Sequence, residues 1–336
     1  MHPLPTAADA ADTPEEASRS AEDDDAYRSL IARLSRQSVD RHFDAYADVD
    51  WDAPDHRIDP ADTRWIGVLG DTLVETEWFA GLPPAAQARL GLHLVVSRMK
   101  LGLQFENVLQ RGLLEYALGL GNGDPEFRYA YHEVIEEGHH TLMFQEFVNR
   151  SGIDATGLGP VELVCTRAVV RSARRFPELF FFFVLAGEDP IDHVQRRSLR
   201  SGQDVPPLLQ RIMRIHVTEE ARHLSFARNH LKRAVPALGP VRRLGLSLAV
   251  PVVLWLMSQM MLGVPWQVSR RFRIPRAALA QARRAARDRA EAAEAVRKVR
   301  QLASELGLLG PLPSALWRGL GLVEPARAPQ APGTTA

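Results

Sequence analysis

Cysteine is almost missing: of 336 residues only Cys165 carries a thiol, which excludes an intrachain disulfide and a Cys-based metal cluster. An excess of either charge is missing too. Lysine plus arginine number 41 against 41 aspartate plus glutamate, so the balance gives no reason to expect nucleic acid as a partner. No convincing run of alternating apolar and polar residues marks a strand, and no solenoid-type repeat is present. Ser/His/Asp and P-loop motifs are absent. The N-terminus has no signal-peptide pattern, so a cytoplasmic protein is expected. Long apolar runs are scarce. The one at 244–262, "LGLSLAVPVVLWLMSQMML", is about long enough to span a bilayer and follows Arg242 and Arg243. Pro251, Ser258 and Gln259 within it, and the lack of a second such run, favour the central helix of a large bundle, apolar on all sides. Membrane contact through it is the lesser alternative.

What is there is helical pattern. The chain is 46% hydrophobic and 24% charged, enough for a large core. Residues 1–25 and the tail from 323 are poor in large apolar side chains and read as disordered, leaving one domain over 26–322. Helices are predicted at 26–45, 61–79, 84–120, 124–151, 160–187, 191–200, 206–234, 239–262 and 276–306. Gly/Pro punctuation separates them at "GNGDP", "SGIDATGLGP", "SGQDVPP" and "ALGP". The amphipathic Ala/Arg/Glu helix at 276–306 is expected to cover the bundle, with a homodimer contact as the alternative.

Against that background "RIHVTEEARHLSF" (214–226) stands out. At about 100° per residue, Glu220 and His223 lie about 40° and 20° from His216, so the three share one narrow face. Leu209, Ile212, Met213, Ala227 and Leu231 share it, while Arg211, Arg214, Arg222, Arg228 and Lys232 take the other side. An inward carboxylate is costly unless a cation or a set of partners neutralises it. The segment "YHEVIEEGHHTLMFQEFV" (131–148) offers two Glu-x-x-His pairs. Glu137 and His140 share an arc with Phe144, Phe147 and Val148; Glu136 and His139 share theirs with Glu146 and Arg150, the expected wet side. Glu106 sits amid Val95, Met99, Leu113 and Ala117, and Glu188 aligns with Phe181, Val184, Leu185 and Leu199. Pro190 is expected to kink the helix beside Glu188. His132, His139 and His230 read as core or supporting histidines.

One Glu from each of two helices and a Glu-x-x-His from each of two others is the ligand pattern of carboxylate-bridged di-iron and di-manganese bundles. Carboxylates with imidazoles suit iron, with manganese allowed, and four carboxylates balance two divalent ions. The expected fold is therefore all-α, a ferritin-like four-helix bundle core with additional flanking helices.

Those same residues carry a resemblance. "FENVL" around Glu106, "VIEEGHHTLM" with Glu137 and His140, "LAGEDPID" with Glu188, and "IHVTEEARHLSF" resemble the AurF-like para-aminobenzoate N-oxygenases, non-haem di-iron enzymes on a ferritin-like bundle. The similarity is strongest over 90–232. Its last motif, His-x-x-x-Glu-x-x-His, implies that His216 joins Glu220 and His223 as a ligand. The implied set is Glu106, Glu137, His140, Glu188, His216, Glu220 and His223, with Glu137 and Glu220 bridging two iron ions. Glu106 and His140 would serve one iron, and Glu188, His216 and His223 the other. It also implies O2 as co-substrate, an external electron donor, and an arylamine oxidised through hydroxylamine toward nitro. C-hydroxylation of an aliphatic or carrier-bound substrate is the nearest alternative. A ferritin-like iron or oxidant buffer would have no pocket beside the metals. A mononuclear zinc hydrolase would leave several buried carboxylates without a counter-ion. The Phe180–Phe183 run reads mainly as core packing.

Overall fold

The computed structural model describes residues 14–324, with side chains from residue 22. Helix α1 (Pro14–Asp40) is followed by 3-10 turns at Pro54–His56, Thr63–Trp65 and Thr72–Glu75 and by a single turn, α2 (Glu77–Ala80). The long helices come next: α3 (Pro84–Ala117), α4 (Pro125–Ser151), α5 (Pro160–Arg175), α6 (Pro177–Arg200), α7 (Pro207–Ala234) and α8 (Pro240–Leu262). Shorter ones close the chain: α9 (Trp266–Arg271), α10 (Arg276–Asp288), α11 (Glu291–Ala295), α12 (Arg297–Glu305) and α13 (Pro311–Gly319). No strand occurs among the described residues.

Proline starts these helices more often than it breaks them. α3 through α8 each carry proline in the first turn, where its missing N–H would have had no helical partner. At the other end of α4, Gly152 takes φ 65° and closes the helix in the left-handed conformation that glycine adopts without strain. Short loops then fold α3 onto α4 and α6 onto α7 as two antiparallel hairpins. The hairpins face each other through α3–α6 and α4–α7, and α5 is the crossover between them. This is the expected four-helix core, with α1 laid over α4 and α7 and α8 over α6.

Glycine brings α3 and α6 together. A Cβ on Gly187 would stand 2.0 Å from the Phe105 ring, and one on Gly112 2.1 Å from the Phe180 ring. Each ring fills the space its glycine leaves. Phe180, Phe181 and Phe182 are fully buried in the main core, each contributing roughly 1.5–3 kcal/mol by leaving water. They pack as core side chains.

Several elements differ from expectation. Helix 61–79 does not form: Gly67 and Gly70 take positive φ, and Asp62 and Thr76 cap short turns instead. α1 begins at Pro14 and ends at Asp40, so 14–25 are its first turns rather than a disordered segment; 1–13 and 325–336 lie outside the described residues. The break expected after 187 falls instead at Phe176–Pro177, and α6 runs unbroken through Pro190. The 276–306 helix is three pieces, interrupted where Ala290 takes φ 53°. α8 is not the centre of the bundle. It buries Leu246, Val250, Leu254 and Met257 but exposes Val241, Leu244, Val252 and Leu256. Only this stretch, continued to Arg271, is long and apolar enough to cross a membrane among the described residues, and 39% of its most apolar window is buried.

Candidate metal centre

All seven residues singled out in the sequence meet in the middle of the bundle. Glu106 comes from α3, Glu137 and His140 from α4, Glu188 from α6, and His216, Glu220 and His223 from α7. Every one is buried. Glu137 reaches two histidines with different oxygens: Oε2 lies 3.0 Å from His140 Nδ1, and Oε1 lies 3.1 Å from His223 Nδ1. Glu220 Oε1 lies 3.1 Å from His223 Nδ1 and 3.4 Å from His140 Nδ1. These two carboxylates therefore sit between the imidazoles of His140 and His223. His216 Nε2 stands at the other edge, 3.4 Å from Glu106 Oε1 and 3.9 Å from Glu188 Oε2. Donor atoms of Glu106, His140 and His216 lie within 4.8 Å of one another, as do those of Glu137, His140 and Glu220, and of Glu188, His216 and Glu220.

The outer faces of the two imidazoles are held reciprocally. His140 Nε2, from α4, lies 2.9 Å from Glu219 Oε2 on α7. His223 Nε2, from α7, lies 2.7 Å from Glu136 Oε2 on α4. Arg222 joins the two pairs, donating from Nη2 to Glu136 Oε1 (2.9 Å) and Glu219 Oε1 (3.4 Å). The backbone N–H of Phe43 donates to Glu219 Oε1 (3.0 Å). A carboxylate behind a ligating histidine fixes its tautomer and raises its basicity. Glu136 and Arg222, expected on the wet side, are thus buried. The missed signal is a doubled motif: Glu-Glu-x-x-His occurs at 136–140 and again at 219–223. His139, by contrast, points away and accepts from the Ala45 N–H (3.2 Å).

Protons and charges in this seam are strongly perturbed. Burial pushes the Glu106 and Glu188 carboxyls well above the usual range, with the charges of Glu137 and Glu220 respectively adding to it. Burial works the same way on Glu137, but the charge of His223 and hydrogen bonds from both histidines outweigh it and hold that carboxylate well down. Burial opposes the charge on His140 and His223. Glu137, Glu219 and Glu220 around the first, and Glu220 and Glu137 around the second, drive both well above the ordinary histidine value. His216 goes the other way, to about 4, chiefly through burial. One buried residue was not foreseen at all. Glu133, one turn before Glu137, is pushed up to about 8 by burial.

Residues 24–307 match the family model described as P-aminobenzoate N-oxygenase AurF. The chain belongs to this family. It is 37% identical over 297 residues to the uncharacterized protein Mb0909 of Mycobacterium bovis, a stretch covering 88% of this chain and 87% of that one. Identity and coverage are the same for the uncharacterized protein Rv0885 of Mycobacterium tuberculosis. No solved structure matches the chain significantly.

The AurF family implies a di-iron centre, and the residues present fit one. One oxygen each of Glu106 and Glu220 and Nδ1 of His216 are buried and meet no hydrogen-bond partner among the described residues. Buried polar atoms are rarely left so, and carboxylate with imidazole is a donor set for iron or manganese. A narrow cavity of about 60 Å³ opens beside this seam. Glu106, Glu188 and His216 form its inner end, Met99, Gly102, Phe105, Phe144 and Met213 its walls, and Gly70, Arg197 and Glu291 its outer part.

Proposed function

We propose that this protein is a non-haem di-iron, O2-dependent oxygenase that oxidises an arylamine nitrogen to hydroxylamine and on toward nitro. The observation that carries the reading is the cavity ending on Glu106, Glu188 and His216. An iron or oxidant buffer has no need of an organic-substrate pocket at that edge. Family membership favours nitrogen as the atom oxidised.

In this reading Glu106, Glu137, His140, Glu188, His216, Glu220 and His223 would together hold the two irons. Bound iron would supply O2 activation, with O2 as the oxidant. The chain supplies the rest. Glu136, Glu219 and Arg222 keep the His140 and His223 Nδ1 atoms aimed into the seam. The apolar walls exclude bulk water, and the flexible Met99 and Met213 side chains adapt the narrow cavity to an aromatic ring. Each amine-to-hydroxylamine step consumes one O2, two electrons and two protons and releases one water, so an external electron donor is a partner.

The test is metal, then product. Protein loaded anaerobically with Fe(II) should carry about two iron atoms per chain. A Glu220→Ala variant should lose them. Exposure of the loaded protein to O2, a reductant and para-aminobenzoate should give hydroxylamino and nitro products by mass spectrometry. One zinc per chain, or no metal in a protein with intact helical content, overturns the reading.

A further inference from the structure

Glu133 is the one carboxylate at this centre with no work assigned to it. It sits on α4, fully buried, at 0% exposure. Neither of its oxygens accepts a hydrogen bond from any described residue. The other buried acids nearby are all engaged. Glu136 and Glu219 hold histidines and Arg222, and Glu126 accepts from Tyr27 and Tyr116. Leaving a carboxyl group both buried and unpartnered is among the costlier arrangements a core can contain. What Glu133 does meet is the ligand seam: one of its oxygens, an oxygen of Glu137 and a ring nitrogen of His223 lie within 4.8 Å of one another. That is the spacing at which three donors share an ion.

We infer that Glu133 is an eighth protein ligand, a terminal carboxylate on the iron that His223 and Glu137 hold. This rests on the di-iron reading above and adds to it. The spacing of side chains makes the placement natural. Residues four apart on a helix lie one above the other, so Glu133 stacks one turn along α4 from Glu137 and reaches the His223 side of the pair. His140 lies one turn the other way. α4 would then offer three ligands in line, Glu133, Glu137 and His140. The iron that His223 helps to hold would gain an anionic donor that does not line the cavity, whose inner end is formed by Glu106, Glu188 and His216. Substrate would approach one edge of the metal pair while Glu133 closes another.

The experiment compares the full-length wild type with Glu133→Gln and Glu133→Met, metal-free and titrated anaerobically with 57Fe(II). In the metal-free protein both variants should raise the thermal midpoint, because each removes a buried carboxyl group that nothing solvates. In the loaded protein they should weaken one of the two iron sites by roughly 10-fold or more, the scale seen for ligand-shell changes. They should also alter one of the two Mössbauer doublets and leave the other in place. A structural role, such as accepting a hydrogen bond from Tyr129 one turn away, predicts the opposite sign: a lower metal-free midpoint and unchanged iron. Two sites with wild-type affinity and wild-type doublets in Glu133→Gln overturn the assignment while leaving the di-iron reading intact. A wild type that takes up no iron pair defeats both.

Discussion

At the scale of single residues, the centre depends on groups that never face the seam. Arg222 is the only cation within salt-bridge distance of both Glu136 and Glu219 among the described residues, and those two carboxylates orient His223 and His140. Replacing it with methionine keeps the packing but leaves two buried carboxylates sharing no positive charge. Metal affinity in Arg222→Met should fall about 10- to 100-fold, read by competition with a chelator, while Glu219→Gln alone should cost less. Equal affinity in Arg222→Met and wild type would remove Arg222 from the centre. The seven residues that meet in the seam were legible because each lies on an apolar helix face. Arg222 and Glu136 were not, for a geometric reason. A helical wheel places them about 100° from His223 and Glu137, off the seam. That face is dry only because α1 and the segment after it, with Phe43 and Ala45 bonded to Glu219 and His139, lie over it. Such a covering is long-range and leaves no mark in local periodicity.

At the scale of elements, three of the four core helices, α3, α4 and α7, were read to within a few residues, since proline starts each and Gly-rich loops bound them; α6 was not, because its start at Phe176–Pro177 has no glycine to mark it and Pro190 lies inside it. Failures came where tertiary contact overrode pattern. The 61–79 stretch has helical periodicity, yet its backbone abuts α3 so closely that a Cβ on Gly91 would meet the Trp65 carbonyl oxygen at 2.5 Å. The same kind of contact sets the α3–α6 approach beside Glu106 and Glu188. In Gly187→Ala the added methyl overlaps the Phe105 ring, so α3 must give way at the residue next to Glu106. A loss of about 1–3 kcal/mol is expected, together with weakened iron binding. Gly138→Ala is the contrasting case. That site is inside α4 and its Cβ would meet nothing within 4 Å, so helix propensity alone should stabilise it by about 0.5–1 kcal/mol. Denaturant midpoints decide both, and a neutral Gly187→Ala would mean the bundle is softer here than its packing implies.

At the scale of the whole molecule, the buried centre couples folding to both metal and pH, with opposite signs in the two forms. Metal-free, Glu106, Glu188, His140 and His223 all have folded pKa values above their unfolded ones. The folded chain therefore binds more protons than the unfolded chain above the ordinary histidine value. His216, held at about 4, is deprotonated in both states there and drops out. Stability contributed by the two raised histidines is complete below about pH 6.5 and is lost as pH rises through their folded values. Each net proton is worth about 1.4 kcal/mol per pH unit. The metal-free thermal midpoint should accordingly fall between about pH 6.5 and pH 8. Metal ions take the place of those protons and bind the deprotonated ligands, so affinity rises with pH and uptake releases protons. The loaded protein should hold its midpoint over the same range, and the gap between loaded and metal-free forms should widen as pH rises. Calorimetric scans of both forms at several pH values, with proton release followed during Fe(II) addition, check the sign directly. A gap that narrows with pH would mean that the histidines are not the groups the metal displaces.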